Sequence, residues 1–206
     1  MRMDDVQICN HAIALCGSTD FIQSLTDNKV SARRCNQFFL PSVERILAEH
    51  DWSSATALAT LAQNTSGPIA EYQFNYTLPF DCVKVVQIFS DDSGYSPYNR
   101  WKVRGRNLQT NLDTVIIEYV QFPEDYRDLD VLLATAIAYE IATMLAPTLI
   151  KNPEIFAILN GAKEKACAKA RAMDTLQDKE LYTENDVWED QRLRVGGTSS
   201  GGSASD

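Results

Sequence analysis

From Val131 to Ile150 the chain runs 20 residues with a single charged side chain, Glu140. A stretch of this length either crosses a bilayer as a helix or fills the middle of a soluble bundle, apolar on every side. Glu140 at mid-span, Tyr139, three threonines (Thr135, Thr143, Thr148) and Pro147 fit lipid poorly, because hydrocarbon offers their polar groups no partner. The run therefore predicts a central bundle helix. It should begin near Asp128, where Asp128 and Asp130 suit the positive end of a helix dipole, and stop at Pro147. A buried carboxylate needs a cation, and Arg33 or Arg34 are the candidates on charge alone.

Partners for such a helix lie on both sides of it. Residues 4–16 place Val6, Cys9, Ile13 and Cys16 at helical spacing and stop at Gly17, which suits a left-handed cap. A second run, Val30 to Glu49, carries Phe38, Phe39, Val43, Ile46 and Leu47, with Pro41 predicted to kink or divide it. Trp52, followed by Ala55, Leu58, Ala59, Leu61 and Ala62, could close a small helical bundle. A last helix is predicted from Pro153 to Leu176, with Ala162, Ala166 and Ala170 as a small-residue stripe for close helix approach.

Between these helices the apolar period falls to two. After Gly67 and Pro68 come Tyr72, Phe74 and Tyr76, then Val83, Val85, Val86, Ile88 and Phe89, then Val115, Ile116, Ile117, Tyr119 and Val120, separated by Pro79, the polar stretch 91–97, Gly105 and 111–113. The expectation is an α+β fold: a helical bundle from 1–66 and 125–176, an inserted small antiparallel β-domain at 67–124, and an extended C-terminal arm at 177–206. Residues 174–190 hold seven acids around the isolated apolar Leu181, Tyr182, Val187 and Trp188, and 196–206 is rich in Gly, Ser and Thr. Such a segment cannot make its own core.

With 28 acids against 19 bases the net charge is −9, which argues against tight duplex-DNA binding through phosphate neutralisation. The same sign suits a conduit through which a polyanion slides, since a ring of copies multiplies the field. The five cysteines (Cys9, Cys16, Cys35, Cys82, Cys167) are odd in number and form no C-x-x-C pair, so they read as reduced core thiols. No basic, apolar, small-residue signal pattern opens the chain, which predicts synthesis in a cytoplasm. His11 and His50 are the only histidines. Without H-E-x-x-H, G-x-S-x-G or G-x-x-x-x-G-K-[ST], the metalloprotease, α/β-hydrolase and P-loop readings lack their minimum parts. No cofactor and no metal is expected.

Two constellations carry the interaction reading. Arg100, Lys102, Arg104 and Arg106 alternate with Trp101, Val103 and Gly105, so in one strand the four cations would line a single face, suited to an acidic neighbouring subunit or a DNA backbone. Lys163, Lys165, Lys169 and Arg171 read as a solvated helix face that also favours the C-terminal end of the dipole. The acidic segment Asp178 to Asp190 fits a basic groove, with Tyr182 and Trp188 as anchors.

Several pieces of the chain, in order, carry a resemblance. C-N-H-A-I-A-L-C-G (Cys9 to Gly17), F-I-Q-S-L-T-D (Phe21 to Asp27), A-R-R-C (Ala32 to Cys35), L-A-E-H-D-W (Leu47 to Trp52) and L-P-F-D-C (Leu78 to Cys82) come first. W-K-V-R-G-R-N-L-Q-T (Trp101 to Thr110), I-I-E-Y-V (Ile116 to Val120), A-I-A-Y-E-I-A-T-M-L-A (Ala136 to Ala146) and A-K-A-R-A-M-D (Ala168 to Asp174) follow. Together they resemble the tail tubular protein A and head-to-tail adaptor (connector) family of short-tailed bacteriophages, over roughly residues 5–176. The weight lies in the collinear order, since each piece alone is a weak motif.

The resemblance implies a structural, non-enzymatic virion protein at the head–tail junction. Its copies would form a ring, typically dodecameric, under the portal protein and above the tail nozzle (tail tubular protein B), with phage DNA passing through a channel without sequence-specific binding and no membrane involved. In that setting Arg100, Lys102, Arg104 and Arg106 belong to a subunit interface or the channel, and Leu181, Tyr182, Val187 and Trp188 to a portal-docking arm. The segment after 176 has no counterpart in the resemblance. The alternative is a virion-associated glycan or peptidoglycan hydrolase using paired carboxylates, such as Glu124 with Asp125 or Glu44 with Glu49. That chemistry needs one raised pKa and a spacing of roughly 5 to 10 Å across a sugar cleft, and an acid-rich chain supplies many such pairs by chance.

Overall fold

Among the described residues the order of elements is helix, helix, seven strands, helix, helix, an α+β arrangement. The computed structural model describes residues 2–64, 71–90, 96–149 and 153–177, so the expected arm, with Leu181, Tyr182, Val187 and Trp188, lies outside the described residues. The helices are α1 (Asp5–Leu15), α2 (Val30–Glu49), α3 (Val131–Leu149) and α4 (Pro153–Gln177). The apolar run forms α3, which packs against α1, α2 and α4. By length and composition it could cross a membrane, but here most of it is covered by protein.

Local chemistry sets the helix ends. The Asp4 carboxylate accepts from the Gln7 backbone N–H (2.8 Å) and the Gln7 side chain accepts from the Asp4 N–H (3.0 Å), a reciprocal cap that starts α1. Gly17, at φ +73°, ends it where a side chain would be strained. α3 begins three residues later than Asp128: Tyr126–Asp128 is a single 3-10 turn, and the Asp130 carboxylate caps the helix by accepting from the Leu132 N–H (2.8 Å).

Neither proline ends or divides its helix. Pro41 lies inside α2, which stays one helix because Cys35, Phe39, Val43, Ile46 and Leu47 on either side of it are buried in the same core. Packing outweighs the roughly 3 kcal/mol that an interior proline costs. Pro147 also lies inside its helix, two residues short of the end at Leu149.

Residues 56–60 correct a second expectation. The short apolar run after Trp52 is a strand, β1 (Thr56–Thr60), not a further part of the bundle. Trp52 is 1% exposed and its indole N–H donates to the Ile46 carbonyl (2.9 Å), which pins the chain beneath α2. From there it pairs antiparallel with β7 (Val115–Gln121), Ala57 opposite Tyr119 and Ala59 opposite Ile117.

The other strands are β2 (Phe74–Thr77), β3 (Cys82–Ser90), β4 (Ser96–Pro97), β5 (Trp101–Arg104) and β6 (Asn107–Thr110). They form a four-stranded sheet in the order β1-β7-β3-β4 and a three-stranded sheet in the order β2-β6-β5. Alternation in β7 and β3 gives the larger sheet two faces. Val115, Ile117, Tyr119 and Ile88 join a cluster with Tyr76 and Leu108 of the smaller sheet, while Val120, Val83 and Val86 join the helical core. Tyr76 closes the smaller sheet, its hydroxyl reaching the carbonyls of Leu112 (2.8 Å) and Asp113 (2.6 Å).

Because α3 is the helix on which the others pack, Ile137→Ala, at a fully buried position, is expected to lower unfolding stability by about 2 to 5 kcal/mol. Leu40→Ala on the exposed side of α2 should change it by less than about 0.5 kcal/mol. Urea titration followed by circular dichroism distinguishes the two.

Candidate interaction surfaces

Glu140, 0% exposed near the middle of α3, is held by two cations. Arg45 of α2 donates to Oε1 at 2.6 Å and Lys163 of α4 lies 3.3 Å from Oε2. Arg33 and Arg34, the expected partners, sit at the opposite end of α2, where Arg34 donates to Gln37 (2.9 Å). Composition gives the sign of the partner; the height at which helices cross decides which residue it is. Lys163, read as part of a solvated face, is thus largely withdrawn from solvent, its side chain 21% exposed.

A second polar lock joins the helices to the sheets. Asp174, buried near the end of α4, accepts from the Ser53 N–H (3.0 Å) and lies 3.1 Å from Nε2 of His50, whose ring stands edge-on to Trp52. Lys84 of β3 completes the seam, pairing with Asp51 (2.7 Å) and donating to the Ala48 carbonyl in the last turn of α2 (3.2 Å). Both histidines have evident packing roles, since His11 lies beside the Tyr139 ring.

The four alternating cations do not share one strand face. Lys102 and Arg104 project two residues apart from β5, both exposed, and Arg100 precedes the strand. Gly105, at φ +61°, turns the chain into β6, so Arg106 falls on the turn and donates instead to the carbonyls of Pro79 and Cys82. Alternation in sequence cannot reveal a tight turn whose only marker is one glycine. Register places Lys102 beside Gln109 and Gln109 beside Asn75, and the buried side-chain oxygens of Asn75 and Gln109 have no hydrogen-bond partner. At the tip of the β2–β3 loop that Arg106 braces, Phe80 is 93% exposed.

Among the described residues, two of the concavities have room for a ligand or partner. One, of about 530 Å³, lies over the edge of the larger sheet and is lined by Asp51, Ser53, Thr56, Leu58, Val86 and Glu118. Its Asp51 is already committed to Lys84. The other, of about 340 Å³, runs between α3 and α4. Of the sequence-derived carboxylate pairs, Glu44 and Glu49 are exposed on α2, and Glu124 and Asp125 are exposed before the 3-10 turn, where Asp125 caps the Arg127 N–H (2.9 Å). Neither pair lines these two concavities.

All five cysteines are buried and unbridged. Its hydrogen bond to Cys35, and then burial, raises the Cys9 thiol; burial takes Cys16 up to about 11 and raises Cys82 and Cys167. Among the described residues no three His, Cys, Asp or Glu side chains are grouped to hold a metal ion. Compared with protein-family models and with curated proteins, the chain shows no match.

Two outcomes follow from these contacts. Glu140→Ala leaves Lys163 without its anion and is expected to cost about 3 kcal/mol or more in urea unfolding, whereas Lys102→Ala should be near neutral. At pH 8 a thiol reagent such as dithionitrobenzoate should label Cys16 only after denaturant is added, because a thiol raised to about 11 is protonated there and sterically covered.

Proposed function

We propose that this chain is a structural head-to-tail adaptor of a short-tailed bacteriophage, whose copies close into a ring joining portal to tail nozzle around a DNA channel. The observation that carries the reading is the presence of unlike apolar contact points in the two halves of the molecule. Phe80, 93% exposed, marks the β-domain, and Leu40, 57% exposed, marks the outer side of α2 in the bundle. A ring of identical subunits joins unlike patches head to tail, so each copy must carry two of them, in contrast to the self-complementary patch of a two-fold dimer. The collinear resemblance over roughly residues 5–176 points the same way.

The work of such a protein is geometric. Each interface adds little alone, but in a closed ring every copy gains from two at once, so a portal that gathers copies favours closure. Lys102 and Arg104, on the exposed strand β5, suit contact with an acidic neighbour better than with DNA, since a lumen that bound phosphate would hinder passage. The net charge of −9, repeated around a ring, repels the polyanion from the wall. In this reading Leu181, Tyr182, Val187 and Trp188 of the C-terminal segment meet the portal.

Purified chain mixed with portal should give, by native mass spectrometry, a complex holding many copies of the chain in a fixed number, and Phe80→Asp should reduce that occupancy while leaving the circular dichroism melt within a few degrees. Portal that stays bare, or that takes a single copy, is incompatible with the adaptor reading.

A further inference from the structure

The groove between α3 and α4 is apolar at its floor and basic at its rim. Leu132 and Tyr139 of α3 and Ala162 and Ala166 of α4 form the floor, while Lys165 and Lys169 stand over it, both exposed. Among the described residues neither lysine has an ion-pair partner, in contrast to Lys163 on the adjoining face of the same helix. The apolar stripe continues beyond the groove. Ile158, Met173 and Leu176, which are 68%, 42% and 62% exposed, extend the series Ala162, Ala166 and Lys169 along the same side of α4 at intervals of three or four residues. A soluble helix does not usually offer water so long an apolar strip unless something covers it.

The sequence that follows α4 has the matching chemistry. Residues 178–190 hold six acids, and Tyr182, Glu184, Asp186 and Trp188 would share one side of an extended strand. Length matches as well. If 178–180 reverse the chain, with Asp178 at the favoured first position of a type I turn, the next residues return along α4 at about 3.3 Å each. Lys169 and Lys165 lie about 12 and 18 Å back from Gln177 at 1.5 Å per helical residue. Glu184, Asp186 and Trp188 then fall at roughly 10, 16 and 23 Å, opposite Lys169, Lys165 and Ala162 in turn.

We propose that the groove between α3 and α4 is the seat of the chain's own segment 178–190, held by Trp188 on the apolar floor, by Tyr182 on the strip at Met173 and Leu176, and by Glu184 and Asp186 on Lys169 and Lys165. Being tethered at Gln177, the segment meets the groove at an effective concentration far above that of any free partner. Occupied in this way, the subunit hides its apolar strip and its acidic arm together. In an adaptor, this holds the arm back until a portal competes for it, but the docking itself rests on the groove and the segment, not on that reading.

Hydrogen–deuterium exchange on the full chain, with no portal present, tests it. Backbone amides of 181–188 should exchange at least about tenfold more slowly than those of 196–206, with protection unchanged over a hundredfold range of protein concentration. Lys165→Glu with Lys169→Glu should abolish the protection, and adding Glu184→Lys with Asp186→Lys should restore it. Exchange of 181–188 at the unstructured rate in the unaltered chain overturns the proposal. Protection that grows with concentration also overturns it, assigning the groove to the arm of a second copy. If the arm proves free while portal still gathers rings, this inference alone fails; a docked arm on a chain that ignores portal removes the adaptor reading instead.

Discussion

The helical half of this protein depends on burying α3 without orphaning Glu140. A helix apolar on nearly every side has little preference for one rotation over another, since many packings bury similar area. A carboxylate held 2.6 Å from Arg45 and 3.3 Å from Lys163 accepts far fewer of them. The two cations come from helices on either side of α3, so one charge sets its rotation against α2 and the height of α4. Removing water from Glu140 is expensive, and the geometry of both pairs is what offsets it.

The helical and β halves are joined by a seam as specific as that core. The larger sheet serves two clusters at once, its Val120, Val83 and Val86 packing with the helices and its Ile117 and Ile88 with the smaller sheet. Around it, Asp174 from α4 caps the Ser53 N–H and Lys84 from β3 caps α2 at Ala48. α4 is thus tied at its far end to the point where the chain leaves the bundle for the sheets. The two halves are joined by shared packing and by these polar contacts, which oppose hinge motion between them.

Much of this was readable from residue order. The extent of α1 with its end at Gly17, the limits of α4 and the strands from Phe74 onward all follow from local rules, and the structure has them. What was not readable depends on contacts between distant residues. β1 is five residues of Thr, Ala and Leu that could join either kind of element, and only pairing with β7 decides for strand. Pro41 is tolerated because the core on either side of it holds α2 together. The choice of Arg45 over Arg33 or Arg34 rests on where two helices cross, and the loss of Arg106 from the cationic face rests on the turn at Gly105.

Charge is distributed along this chain in a way that bears on how it works. After residue 177 there are seven acids and three bases, so −4 of the net −9 belongs to the stretch beyond α4 and −5 to everything before it. The body is therefore close to balance, with exposed cations at Lys102, Arg104, Lys165 and Lys169. A near-neutral body presents whichever sign its tethered segment leaves uncovered. With that segment lying on α4, as proposed, the cations there are neutralised and the field is diffuse; with it extended toward a neighbour, nearly half the net charge moves away and the lysines of the groove are exposed. One chain can thus present two different electrostatic surfaces with no change in its core, because the charge sits on the part of the sequence that cannot build a core of its own.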